Sequence, residues 1–273
     1  MIEISLNKKS KLFSKHKIAS NWYDFTIDQA IQVQETEMPE KIKQMYELFV
    51  NIQDEKVRQV AFDKLMDSVT RVEEIKTFPN YYGKIIQILS TISKKDIENV
   101  NIESRNKIYL GSDSYKGIER FVQGIFYKQF NDYNPKEIKH FRFKGTKYYM
   151  PKSMLVGSEE ILLGNEESIS CTEQQDIQLF WEQYTGVGIE QSAMMVAIYC
   201  RPRVWSWEKF KRIREPYDER AIIERAKVFK DLPFNLVLEV FFCTEKLLSN
   251  YKSSLLSSFL KKVKEIRKVS RQK

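Results

Sequence analysis

The strongest hydrophobic pattern in the chain lies between residues 216 and 243. Ile222, Ala226 and Phe229 recur there at helical spacing, and Leu236, Val237, Val240 and Phe241 do so again beyond Asp231 and Pro233. Asp218 stands where its carboxylate can accept from the free N–H groups that open a helix, and Pro233 suits the first turn of the next. Two helices joined by a turn are predicted.

Upstream, Met1 to Leu6 alternates apolar and polar positions like a short strand, with the Lys-rich stretch up to Ile18 as its partner strand or a free arm. Thr26 followed by Gln29 fits a capping box and predicts a helix from Ile27. Pro39 opens a helix carrying Ile42, Met45, Tyr46 and Phe49 on one face. Val57, Val60, Ala61, Leu65, Val69 and Val72 continue the one-face pattern in a third helix, ended by Phe78-Pro79-Asn80. Tyr82, Ile85, Ile86 and Leu89 mark the next, and after a turn at Gly111 to Ser114 so do Ile118, Phe121, Val122 and Ile125.

Residues 131–137 are polar and rich in turn formers, and beyond them the period changes. Ile138 to Met150 alternates about Lys144-Gly145, as a β-hairpin does, and residues 151–170 read as loop. Thr172 with Gln175 repeats the capping-box signal ahead of Ile177, Phe180, Trp181 and Tyr184; a helix with Ile189, Ala193, Val196, Ala197 and Cys200 follows. The last helix carries Leu247, Leu248, Tyr251, Leu255, Phe259, Val263 and Ile266. Thr26 to Val33 aligns without gaps on Thr172 to Leu179, with Thr, Gln, Ile and Gln coinciding. The fold class expected is mainly α (α+β), a multi-helix protein with short β-hairpins in two related halves, residues 1–130 and 138–273.

With 273 residues and 42% hydrophobic content, a sizeable core is expected. No apolar run reaches the roughly 18 residues a membrane span requires, and Met1 to Lys9 lacks the apolar segment of a signal peptide. A soluble, non-secreted protein without membrane contact is therefore expected. Cys171, Cys200 and Cys243 show no metal or redox spacing and read as reduced thiols. His16, taken as solvated, and His140, on the hairpin, have no partner ligands in sequence. Gly145-Thr146-Lys147 lacks the remainder of a phosphate loop, and no nucleophile elbow is present. No catalytic, metal or cofactor-binding residue is assigned, and no enzyme activity is expected.

A net charge of +8 permits an acidic partner. Two stretches concentrate that charge. The first interleaves Arg201, Arg203, Lys209, Lys211, Arg212 and Arg214 with Trp205 and Trp207, a composition able to contact phosphates and stack on bases. The bland alternative has its aromatics anchored in the core and its cations turned outward. The second is the C-terminal group Lys261, Lys262, Lys264, Arg267 and Lys268, with Arg271 and Lys273 beyond, which equally complements a helix dipole. The apolar stripe Leu248, Tyr251, Leu255 and Phe259 is a candidate surface for a partner protein or for self-association.

Three segments carry a resemblance: Asn21-Trp22-Tyr23-Asp24-Phe25-Thr26-Ile27-Asp28-Gln29; the hairpin Phe143 to Pro151 leading to the second Thr-x-x-Gln; and Tyr217-Asp218 through Glu224-Arg225-Ala226 to Phe229-Lys230-Asp231-Leu232-Pro233. Together the chain resembles a group of proteins encoded in the structural gene region of tailed bacteriophages and prophages of Bacteroides-type bacteria, often compared with tail assembly chaperones. It departs from that pattern at Phe25, where Leu is preferred, and in the helical stretch around residues 54–110. The resemblance implies a non-enzymatic role in the host cytoplasm during assembly. The chain would bind tail or head structural proteins as a chaperone or scaffold, or remain in the virion as a structural, connector or cargo component. Nucleic-acid binding through residues 201–214 and the basic C-terminus is the alternative.

Overall fold

The computed structural model describes residues 2–6, 14–21, 24–113, 115–127, 134–155, 167–184 and 188–270, and side chains at 2–6, 14–15, 127 and 254–270 lie outside that description. The described chain is mainly helical with short antiparallel sheets, an α+β protein. It divides into two compact units, residues 1–133 with Pro233–Asn235, and residues 134–232 with 236–273. The division falls within the polar joint at 131–137, while three residues from the apolar segment near the end belong with the first unit.

In the first unit, β1 (Ile2–Leu6) and β2 (Ser14–Ile18) pair antiparallel, so the Lys-rich stretch does supply a partner strand. Helix α1 (Ile27–Glu35) begins as the capping box predicts: the Thr26 hydroxyl accepts from Gln29 N–H at 3.1 Å, and the Gln29 side chain accepts from Thr26 N–H at 3.0 Å. Its Ile27, Ala30 and Ile31 are buried, as are Ile85, Ile86 and Leu89 at α4 (Phe78–Ile88) and Phe121, Val122 and Ile125 of α7 (Glu119–Tyr127). Phe25 meets Phe121 edge-on at 5.8 Å, and Phe234 N–H donates to the Phe25 carbonyl at 2.7 Å.

Between α1 and α4, helix α2 (Glu40–Asn51) buries Ile42 and Tyr46, whereas α3 (Glu55–Asp67) buries no residue at all. Val57, Val60 and Val72 are exposed while Ala61, Leu65 and Val69 are half-buried, so the predicted face is covered only in part. The spacing correctly marks an amphipathic helix, but periodicity cannot say whether anything covers its apolar side. The chain break also differs from expectation. It falls at Val69–Thr70, and Pro79 stands just after a π-helical turn, Glu73–Thr77, that runs into α4 without a break. Short helices α5 (Lys94–Asn99) and α6 (Ile102–Tyr109) follow, each opened by a side-chain cap from Ser93 and Asn101. His16 is buried, its Nδ1–H donating to the Thr91 carbonyl at 3.3 Å, and is not the solvated residue anticipated.

The second unit is built on a four-stranded antiparallel sheet in sequence order: β3 (His140–Phe143), β4 (Thr146–Tyr149), β5 (Arg201–Ser206) and β6 (Lys211–Arg214). Lys144 (φ 44°) and Gly145 (φ 81°) turn the predicted hairpin, the double left-handed geometry that matches strand twist. Helices α8 (Cys171–Gln183), α9 (Glu190–Tyr199), α10 (Glu219–Phe229) and α11 (Phe234–Ser270) complete the fold. Helix α8 is capped by Ser170, whose hydroxyl accepts from Glu173 N–H at 3.0 Å, and not by Thr172. The eight-residue correspondence thus places one Thr at an N-cap and the other two residues inside its helix. Asp218 caps α10 as predicted, accepting from Arg220 and Ala221 N–H. Phe229 sits among Phe141, Phe143 and Tyr148 of the first hairpin, with ring centroids 4.9–6.1 Å away.

Candidate functional site

The stretch from Arg201 to Arg214, singled out in the sequence for its cations and indoles, is the β5–β6 hairpin. Strand β5 pairs with β4 only through Arg201 and Pro202. Proline has no N–H to continue that ladder, and from Arg203 onward β5 pairs with β6 alone. The outer part of the hairpin is therefore a two-stranded ribbon beyond the four-stranded sheet. Along it the side chains alternate, placing Arg203, Trp205 and Trp207 at odd positions. Trp205 is 50% exposed, Trp207 78% and Phe210 76%. The two indoles meet edge to face at 6.2 Å.

This reverses the bland alternative, because here the aromatics are out and two of the arginines are in. Arg201 and Arg214 are buried at the base of the ribbon, so neither can be a surface phosphate contact. Arg201 donates from Nε to the Ile198 carbonyl at 3.0 Å, from Nη1 to the Glu215 carbonyl at 3.0 Å, and from Nη2 to Glu173. Arg214 reaches the same Glu173 carboxylate at 3.1 Å and the Tyr199 carbonyl at 3.4 Å. Arg225 of α10, also buried, pairs with Glu215 and donates to the Ala197 carbonyl at 2.9 Å. Three buried guanidiniums thus share two carboxylates. Burial, reinforced by Arg214 and Arg225, pulls Arg201 well below the usual guanidinium range, while Glu215 and Tyr217 oppose the shift. Such a network costs desolvation and in return fixes where the ribbon leaves the sheet.

The remaining cations divide. Arg203 pairs with Glu167 and lies 4.5 Å from the centroid of the Tyr149 ring, so it is held against the sheet. Lys209, Lys211 and Arg212 are exposed near the tip, with Glu208 the acidic residue among them. Phe210 closes the four-residue loop at φ 49°, a left-handed conformation that costs a bulky side chain roughly 1–2 kcal/mol. An exposed Phe held in that conformation is unfavourable for the isolated chain on both counts. Composition had flagged the segment; Phe210 was missed, because no spacing rule marks a loop aromatic.

The other sequence candidates lie elsewhere. Leu248 and Tyr251 of α11 are half-buried, and the Tyr251 hydroxyl is 3.5 Å from Cys171 Sγ within the second unit. Leu255 and Phe259, and the cations Lys261, Lys262, Lys264, Arg267 and Lys268, lie outside the described side chains. No group of three or more His, Cys, Asp or Glu among the described residues is arranged to hold a metal ion, and no described helix is long and apolar enough to cross a membrane. Comparison of the chain with protein-family models, with curated proteins and with solved structures finds no match.

Proposed function

We propose that this chain is a non-enzymatic contact protein of bacteriophage assembly, binding tail or head structural proteins through the tip of the β5–β6 ribbon. The observation that carries the reading is the exposure of Trp205, Trp207 and Phe210 on a ribbon whose base is fixed by buried arginines. Trp and Arg dominate the energetics of protein interfaces, and a rigid aromatic anchor loses little conformational entropy on binding. The exposed Val57 and Val60 of α3 support the same reading in the first unit. The assembly context comes from the sequence resemblance, and with it the host cytoplasm as the place of action.

Lys209, Lys211 and Arg212 beside the aromatics favour a second reading, in which the same tip stacks on single-stranded nucleic acid. Both are tested by co-sedimentation of the purified chain with phage structural proteins and, separately, with an oligonucleotide across a salt series. A protein contact weakens by about 30-fold or more per aromatic truncated at the tip and changes little with salt. Affinity for the oligonucleotide alone, falling steeply with salt, would replace the first reading by the second.

A further inference from the structure

A cleft of about 440 Å³ opens in the second unit beside the first hairpin, between its outer strand region and the part of α11 around Cys243 to Asn250. Its floor is apolar, with Ile138, Met150, Pro151 and Leu247. Its rim is cationic: Lys139 and Lys246 on one part of the lining, Lys152 and Arg203 on another, with Arg214 in the wall. Two carboxylates accompany them. Glu137 pairs with Lys246 at 2.9 Å, and Glu167 pairs with both Lys152 and Arg203. Their cationic partners hold both carboxyls below the usual range, so each is a fixed negative charge near neutrality.

The lining carries five cations against the carboxylates Glu137 and Glu167, and outside the lining Arg214 shares Glu173 with Arg201. The wall itself leaves a donor unused. Arg214 is 6% exposed, and its buried Nε has no hydrogen-bond partner, although a buried charged donor is costly to leave unmade. A half-apolar concave space with converging polar groups has the size and character of a small-molecule site. That surplus of cations suits a phosphate monoester, which carries nearly two negative charges at neutral pH.

We infer that this cleft binds a small phosphate monoester with an apolar body, its phosphate held by Lys139 and Lys246 and its body on Ile138, Met150 and Leu247. Neither the ribbon tip nor the assembly reading enters this argument. Phenyl phosphate is the probe, with inorganic phosphate and matched chloride as controls, followed by calorimetric titration and thermal stability of the full chain. Phenyl phosphate is expected to bind saturably and raise the melting temperature. The exposed double substitution Lys139→Gln/Lys246→Gln should keep the circular dichroism spectrum and weaken binding about tenfold or more. Three results would overturn the inference: no saturable response up to about 10 mM; unchanged affinity in the double variant; or inorganic phosphate binding as tightly as the ester, which would leave the apolar floor without a part. Stabilisation by an oligonucleotide and not by phenyl phosphate would also overturn it, assigning the cations to a polymer backbone.

Discussion

Glu173 is the carboxylate on which the base of the ribbon depends, and Glu173→Gln removes its charge at almost constant shape. Arg201, with 1% of its side chain exposed, and Arg214, with 5%, both donate to this one group. Gln leaves one acceptor oxygen and no compensating charge, so two buried guanidiniums remain with carbonyl partners only. Removing one member of a buried ion pair costs about 3–5 kcal/mol, because the residual charge stays desolvated. No cavity term adds to this, and Gln retains part of the hydrogen bonding, so a loss of about 3 kcal/mol is expected for the second unit. At a urea dependence of about 2 kcal/mol per molar, the unfolding midpoint falls by about 1.5 M. Tryptophan fluorescence reports the transition, since Trp181, Trp205 and Trp207 all belong to the second unit. Glu182→Gln is the control: Glu182 is exposed on the same helix, and a change within about 0.5 kcal/mol is expected. If Glu173→Gln stays within about 1 kcal/mol of the parent, the buried network does not fix the ribbon and the reasoning fails.

Three further outcomes are expected. Phe210→Gly should stabilise the chain by up to about 1 kcal/mol by relieving the left-handed backbone at φ 49°, while weakening partner binding; a loss of stability in urea would show that the exposed ring is packed after all. Burial pushes the Glu119 carboxyl up to about 7, so the folded first unit holds a proton that the unfolded chain releases near pH 4. Its contribution is therefore complete below about pH 4 and is lost as pH rises through about 7; Glu119→Gln should abolish up to about 3 kcal/mol of that decline, and parallel stability profiles for the two proteins would contradict it. Ser170→Ala should cost about 1 kcal/mol and Thr172→Ala less than about 0.5 kcal/mol by urea titration, whereas the reverse order would restore Thr172 as the cap of α8.

The elements legible in the sequence are those whose signals are local. The Thr26–Gln29 box, the Asp218 cap and the Lys144-Gly145 turn each satisfy or shape the backbone within a few residues, and each is found where it was read. The faces Ile222–Ala226–Phe229 and Ile118–Phe121–Val122 are buried as their spacing requires. What depends on distant partners was not legible. The same spacing rule that marks those buried faces also marks Val57, Val60 and Val72, which stay more than half exposed. Ser170 displaced Thr172 because both can cap and only the chain geometry chooses. The β5–β6 ribbon was hidden by its composition, since Arg, Lys and Pro obscure strand character. Only the fold shows that its end arginines are buried and share Glu173 while its aromatics stand in solvent.

The central claim is that this chain acts in phage assembly by contact through the ribbon tip. Its most direct test is to tag the chain and its Trp207→Ala/Phe210→Ala variant in the native infection or induced-prophage setting. Assembled particles are separated from soluble lysate, and the proteins accompanying each form are quantified by mass spectrometry. The account predicts that the parent travels with tail or head structural proteins, in either fraction, and that the variant folds normally but loses them. Identical companions for both forms, or a parent that accompanies nucleic acid and no structural protein, would contradict it.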